Sequence, residues 1–337
     1  MSTVFIGTSE FAAAVLERLS RSHAHRPSLV ITRPDRPRGR GRRLTAPPVA
    51  HTARALGIAL QQPSSVNDPQ ARALIDEALA SSSSSASQSA EARPESPAHE
   101  AGTVVVCAFG ALIKEPLLSE HELLNVHPSL LPRWRGAAPI ERAIMAGDER
   151  TGVSIMRLTA GLDSGPVCLT DSLPIHAEDT YGSLAARLQE LAGELLVRAL
   201  EERPPFVEQP QQGVTYADKL TPEDRLLDPA RPAVEAERVV RALHPHIGAR
   251  VALADGSMLG VQRAALADAD VGAGHAPSGA GALAPSQAHG TGPHARDRRL
   301  LLDCTPGALE LLVVQPPGGR AMDAAAYLRG HGLSEGA

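Results

Sequence analysis

Aromatic residues make up only 2% of this chain: four Phe, three Tyr and one Trp in 337 residues. The core must therefore be built from Ala, Val, Leu and Ile. Lysine is nearly missing, Lys114 and Lys219 being the only two, so arginine carries almost all the positive charge. Arginine richness spread along the chain says little, and only its clustering is informative. No apolar run approaches the roughly 20 residues that would cross a bilayer, so no membrane span is expected. The opening MSTVFIGTSEF lacks a basic segment followed by a long apolar one, which argues against secretion. Three cysteines, Cys107, Cys168 and Cys304, form an odd and scattered set. They read as thiols in a reducing cytoplasm, and no CxxC or paired histidine has metal-ligand spacing. The glycine fingerprint GxGxxG is absent after the first expected strand, where the chain reads Gly7-Thr8-Ser9. No metal and no nicotinamide cofactor are expected.

What is present fits a two-domain globular protein: 337 residues, 43% hydrophobic, 21% charged, net charge −5. Val4 to Ile6 reads as a buried strand, with Ser9 capping a helix over Phe11 to Leu19. Strand and helix then alternate through Ser28 to Thr32, Pro47 to Leu56, Ile58 to Gln61, Pro69 to Ala80 and the β-branched Thr103 to Ala108. That alternation predicts an α/β fold around a parallel sheet. Thr180 to Glu202 has the apolar spacing of a long amphipathic helix and stops at Pro204-Pro205, a natural boundary. The expected domains are 1-205 and 206-337. Residues 81-102 are rich in Ser and Ala, and 268-294 in Gly, Ala, Pro and His. Neither can bury enough apolar surface to order itself, so both are expected to be disordered inserts.

The stretch LLNVHPSLLPRWRGAAPI, Leu123 to Ile140, organises the rest. Asn125 and His127 are two apart at the end of an apolar run, so a strand turns both side chains to one face. An amide and an imidazole together suit oxyanion stabilisation and proton handling. Pro128 and Pro132 bracket Ser129, Leu130 and Leu131, which predicts a stiff loop beyond the strand's carboxyl end, where open α/β sheets bind ligands. Asp163 lies between Gly161 and Gly165, a tight turn able to carry a carboxylate into a neighbouring cleft. Between Arg33 and Arg43 six arginines stand against one acid, Asp35. Pro34, Pro37, Gly39 and Gly41 interrupt them, so this tract is expected to lack regular structure and to grip phosphates on binding RNA. From Val207 to Ala337 twelve basic residues face fifteen acids, so that half shows no such excess.

The run NVHPSLLPRWRGAAPI, with Asp163 in GVSIMRLTAGLDSGPV, resembles the signature of the folate-dependent formyltransferases. The resemblance implies a Rossmann-like formyltransferase domain holding no nucleotide cofactor, followed by a smaller C-terminal domain, an OB-like β-barrel reached through QQGVTYADKL. It implies 10-formyltetrahydrofolate as co-substrate. FIGTSEFA and the basic tract RPDRPRGRGRRLTAPPV are similar to the branch acting on initiator methionyl-tRNA. The residues carried over are Asn125, His127 and Asp163 as catalytic, Ser129, Leu130, Leu131 and Pro132 as lining the folate pocket, and Arg36, Arg38, Arg40, Arg42 and Arg43 as contacting tRNA. A cytoplasmic monomer is expected.

Formyl transfer to an amine needs a donor for the oxyanion, an acceptor for the ammonium proton and a proton for the leaving nitrogen. Asn125, with His127 sharing, is assigned the first need, and Asp163, which also orients His127, the second. Two alternatives stand at this point. A formyltransferase acting on an amino sugar nucleotide would share Asn, His and Asp but gives no reason for the arginine tract. A non-catalytic RNA-binding protein on the same scaffold would need none of the three.

Overall fold

The computed structural model describes residues 2–38, 41, 43–80, 102–267 and 292–331. The bulk of both expected inserts lies outside the described residues. By contacts the chain divides into two compact units, one made of Met1–Pro139, Arg150–Pro174 and Ala185–Asp218, the other of Ile140–Glu149, Ile175–Leu184 and Lys219–Ala337.

The first unit is built on a seven-stranded sheet. Thr3–Gly7, wholly buried, pairs in parallel with Leu29–Ile31 on one side and on the other with Thr103–Cys107, the central strand. Ala59–Gln61 adds to the first side, and Glu122–His127 extends the second in parallel. Arg150–Arg157 and Val167–Pro174 then finish that side as an antiparallel pair. The β-branched run TVVVC is buried throughout because helices cover both faces of a parallel sheet. The strand order reverses between Thr3–Gly7 and Thr103–Cys107, and Glu122–His127 ends just beside that switch, where such sheets leave a crevice.

Local signals explain the first crossover. Ser9 caps the helix Glu10–Ser20, its hydroxyl accepting the N–H of Ala12 at 3.2 Å. Gly7 permits the tight strand-to-helix approach, since a Cβ there would lie 2.9 Å from that of Ala12 and 2.9 Å from the Cys107 carbonyl oxygen. This glycine serves packing, in keeping with the missing dinucleotide fingerprint.

The arginine tract departs from its expectation. Arg36–Arg38 and Arg43–Thr45 pair antiparallel as a two-stranded ribbon, with Pro37 opposite Leu44. Proline is tolerated because both strands of such a ribbon are edges, whose outward positions need no donor.

In the second unit Ala249–Ala252, Met258–Leu266, Ala308–Gln315, Arg299–Asp303 and His294–Arg296 form an antiparallel sheet in that order, with Met322–Asp323 also on Ala308–Gln315. The helices Ala233–Leu243 and Ala324–Gly330 contribute to its aliphatic core, to which Tyr327 adds one buried ring. His294, assigned from sequence to the second insert, is in a strand opposite Leu301. Segments from inside the 1-205 span also belong here. Arg142 of the helix Pro139–Ala146 donates to both carboxylate oxygens of Asp224, at 2.7 and 3.0 Å. Glu141 meets His246 at 3.0 Å, and Arg241 donates to the Asp179 carbonyl at 2.8 Å. Among the described residues no helix is long and apolar enough to cross a membrane.

Candidate active site

The site is assembled at the carboxyl end of Glu122–His127. Asn125 and His127 are buried there on one face, as the alternation requires. Asp163 comes from the turn that joins Arg150–Arg157 to Val167–Pro174. Its Oδ1 lies 3.5 Å from Nδ2 of Asn125, and its Oδ2 lies 3.6 Å from Nδ1 of His127. The three side chains predicted from sequence thus converge, and the Asp163 side chain, at 13% exposure, is more open than that of His127 at 5%.

The turn is locally unfavourable and held from outside. Asp163 has φ 41°, in the left-handed region that non-glycine residues seldom adopt. Gly165 is required by contact, since a Cβ there would sit 2.1 Å from the Arg157 carbonyl oxygen. The N–H of Gly136 donates to Oδ2 of Asp163 at 2.8 Å. The carbonyl of Trp134, a residue also at positive φ (64°), faces Nε2 of His127 at 2.8 Å. A carbonyl only accepts, so Nε2 carries a proton, and Nδ1 is the nitrogen that faces Asp163.

Gln209 and Thr215, which sequence reasoning did not assign to the site, stand beside this centre with Arg135. Arg135 is buried, and its Nε and terminal nitrogen donate to the Gln209 side-chain oxygen at 3.0 and 2.7 Å. Gln209 in turn donates to the carbonyls of Asp163 and Gly165 at 2.9 and 2.7 Å. Thr215 accepts the N–H of Trp134 at 2.9 Å, and Tyr216–Ala217 pairs in parallel with Arg135–Gly136. No periodic pattern marks these positions. The only available signal was the family-like segment QQGVTYADKL, which starts two residues after Gln209.

The loop after the strand is pinned to the sheet. Ser129 donates to the Arg133 carbonyl at 2.7 Å, Ser154 donates to the Ser129 carbonyl at 2.8 Å, and Leu131 N–H donates to the Ser154 hydroxyl at 3.2 Å. Leu130 lies over Gly152, where an added Cβ would come within 2.6 Å of its Cδ2. Leu131 and Pro132 are half-buried. A cavity of about 80 Å³ in this unit is lined by Arg33, Val66, Phe109 and Leu112 among others, and one of about 1040 Å³ in the second unit by residues including Ile144, Val234, Arg238 and Leu266. Neither is lined by Ser129 to Pro132 or by Asp163.

Of the tRNA-contact residues expected from sequence, Arg36, Arg38 and Arg43 are in the ribbon, with Arg36 and Arg43 exposed, while Arg40 and Arg42 lie outside the described residues. The cysteines are not poised as nucleophiles. Burial pushes the Cys107 thiol far up and those of Cys168 and Cys304 up to about 11 each. Among the described residues no group of three or more His, Cys, Asp or Glu is placed to hold a metal ion.

Residues 1–200 match the formyl transferase family, and residues 219–332 match the formyl transferase C-terminal domain. The chain is 37% identical over 339 residues to a methionyl-tRNA formyltransferase of Gluconobacter oxydans (strain 621H), covering 100% of this chain and 99% of the relative. It is 39% identical over 343 residues to one of Halorhodospira halophila (strain DSM 244 / SL1), covering 99% and 97%. Among solved structures, the methionyl-tRNA formyltransferase from Clostridium thermocellum superposes with TM-score 0.54 at 13% identity, covering 79% of this chain and 94% of that one. A HypX variant from Aquifex aeolicus gives TM-score 0.60 at 15% identity over 99% of this chain, which spans 48% of the HypX chain. At those identities the structures speak for the fold alone.

Proposed function

The chain belongs to the formyl transferase family, among the methionyl-tRNA formyltransferases, and on that premise we propose that it transfers the formyl group of 10-formyltetrahydrofolate to the amino group of methionine on initiator methionyl-tRNA. The observation that carries this reading is the convergence of Asn125, His127 and Asp163, from two separate segments, within 3.6 Å. In the reaction the amine attacks the formyl carbon, the carbonyl oxygen gains negative charge, and the folate nitrogen leaves with a proton. Asn125 donates through its amide to the developing oxyanion, and His127 shares that load through Nδ1, its Nε2 being committed to the Trp134 carbonyl. Asp163 accepts the proton shed by the attacking amine and returns it to the departing folate nitrogen, while the Gly136 N–H keeps one of its oxygens in place. The chemistry as written calls on no metal and no nicotinamide.

Ser129, Leu130, Leu131 and Pro132 bind the pterin in this proposal. The Ser154 hydroxyl fixes the loop through two hydrogen bonds, so the half-buried Leu131 and Pro132 offer a stiff apolar wall. The arginine tract, Arg36, Arg38, Arg40, Arg42 and Arg43, takes the phosphates of the acceptor arm, and the protein works as a cytoplasmic monomer. A formylation assay offering both methionyl-tRNA and an amino sugar nucleotide tests the reading. Formyl transfer to the tRNA is expected, and product on the sugar nucleotide alone would overturn it.

A further inference from the structure

We propose that Gln209 is the positioning residue for Asp163, holding the carboxylate by tying its turn to the buried Arg135. The proposal rests on the role given above to Asp163. Gln209 is 7% exposed and uses its whole hydrogen-bonding capacity: its oxygen accepts two N–H groups of Arg135, at 3.0 and 2.7 Å, and its nitrogen donates to the carbonyls of Asp163 and Gly165, at 2.9 and 2.7 Å. The amide cannot be flipped, because a guanidinium only donates and a carbonyl only accepts.

The geometry gives this bridge a specific task. Asp163 is held at both ends by one dipeptide: Gly136 N–H grips its carboxylate at 2.8 Å, and Arg135, through Gln209, grips its backbone carbonyl. The positive φ of Asp163 needs such outside support. Gln209 is itself fixed by the segment before it. Val207 exchanges two backbone hydrogen bonds with Val167, at 2.8 and 2.9 Å, and Phe206 lies under the Arg157 guanidinium at 4.2 Å. Arg135 N–H is held by the Thr215 carbonyl at 2.9 Å. The distances from Asp163 to His127 and Asn125 therefore depend on a side chain that touches neither.

The test is single-turnover formylation of methionyl-tRNA with 10-formyltetrahydrofolate, with KM for both substrates and a thermal melt for each variant. Gln209→Glu keeps the size and the two acceptances from Arg135 but, ionised, has no proton for the two carbonyls. Gln209→Met removes all four hydrogen bonds. Misplacing a reacting group by a fraction of an ångström to one ångström lowers the transfer rate by about 10²-fold, and that loss is expected for Gln209→Glu. Both KM values should stay within about twofold, and in an Asp163→Asn background the same substitution should cost less than about twofold, because the two act as one unit. A rate near normal in Gln209→Glu, or the same fold loss with and without the Asp163 carboxylate, overturns the proposal. So does a rate loss that tracks the melting temperature across Gln209→Glu and Gln209→Met, which assigns Gln209 to the fold alone. If Asp163→Asn by itself transfers at a near-normal rate, the role of Asp163 falls and this inference with it. If Asp163→Asn is crippled and Gln209→Glu is not, only this inference falls.

Discussion

Nδ1 of His127 lies 3.6 Å from Oδ2 of Asp163, and the ring's other nitrogen is committed to the Trp134 carbonyl at 2.8 Å. One nitrogen is thus locked as a donor by backbone, and the other faces a carboxylate. The backbone that locks the ring continues into Gly136, whose N–H fixes that carboxylate. Imidazole and carboxylate are therefore set by one short loop, with Asn125 two residues back along the strand.

Asp163→Asn removes the negative charge while keeping an oxygen for the Gly136 N–H. The single-turnover rate of formyl transfer is expected to fall on the order of 10²- to 10³-fold, the scale of losing one preorganised polar group at a reacting centre. KM for both substrates should change little. Rapid-quench kinetics measures both, and a rate near normal would remove Asp163 from the chemistry.

Asn125 and His127 were legible because a two-residue spacing at the end of an apolar run has one geometric meaning in a strand. Asp163 was legible only as a carboxylate in a glycine turn, and its partners came from the family resemblance. Gln209 was not legible, since its four hydrogen bonds go to a distant arginine and two backbone carbonyls, and no periodicity records that. The transfer of Ile140–Glu149 to the second unit was hidden for the same reason: Arg142 and Glu141 find Asp224 and His246 across long stretches of chain. The arginine ribbon was missed because proline was taken to exclude pairing, whereas a two-stranded ribbon of edges admits it, as Pro37 opposite Leu44 shows.

Arg36 and Arg43 are exposed on the ribbon. Each phosphate contact releases a counterion, so removing one should lower the salt slope of log KM for tRNA by about one. Arg36→Ala and Arg43→Ala are expected to raise that KM at 50 to 200 mM salt, roughly the range where such contacts matter, with KM for the formyl donor unchanged. An unchanged salt slope in both variants would remove these two arginines from the tRNA contact.

Gly152 is the floor on which Leu130 rests. A Cβ there would lie 2.1 Å from the Asp171 carbonyl oxygen and 2.6 Å from Leu130 Cδ2, so backbone or loop must move. Gly152→Ala is expected to destabilise the fold by about 1–3 kcal/mol, the usual cost of overpacking. By displacing Leu130 and the loop to Pro132, it should also raise KM for the formyl donor more than KM for tRNA. Thermal melts and steady-state kinetics with each substrate varied separate the two effects, and equal changes in both KM values would detach Leu130 from the donor site.

Arg142 grips Asp224 through both carboxylate oxygens, and that contact, helped by the Thr221 N–H, holds the Asp224 carboxyl below the usual carboxylate range. A depressed folded-state pKa means the unfolded chain takes up the proton first as pH falls. The contribution is therefore complete above the unfolded value of about 3.9 and is lost as pH drops through the folded value. Asp224→Asn should cost about 1.5–3 kcal/mol near neutral pH, the range for hydrogen bonds to charged groups. The gap between variant and wild type should narrow below about pH 4, because protonation of Asp224 in the unfolded wild-type chain then offsets the charged contact in the folded one. Melting temperatures at neutral and acid pH measure this. A gap independent of pH would mean that the pair acts by shape alone, and that other contacts hold Ile140–Glu149 in the second unit.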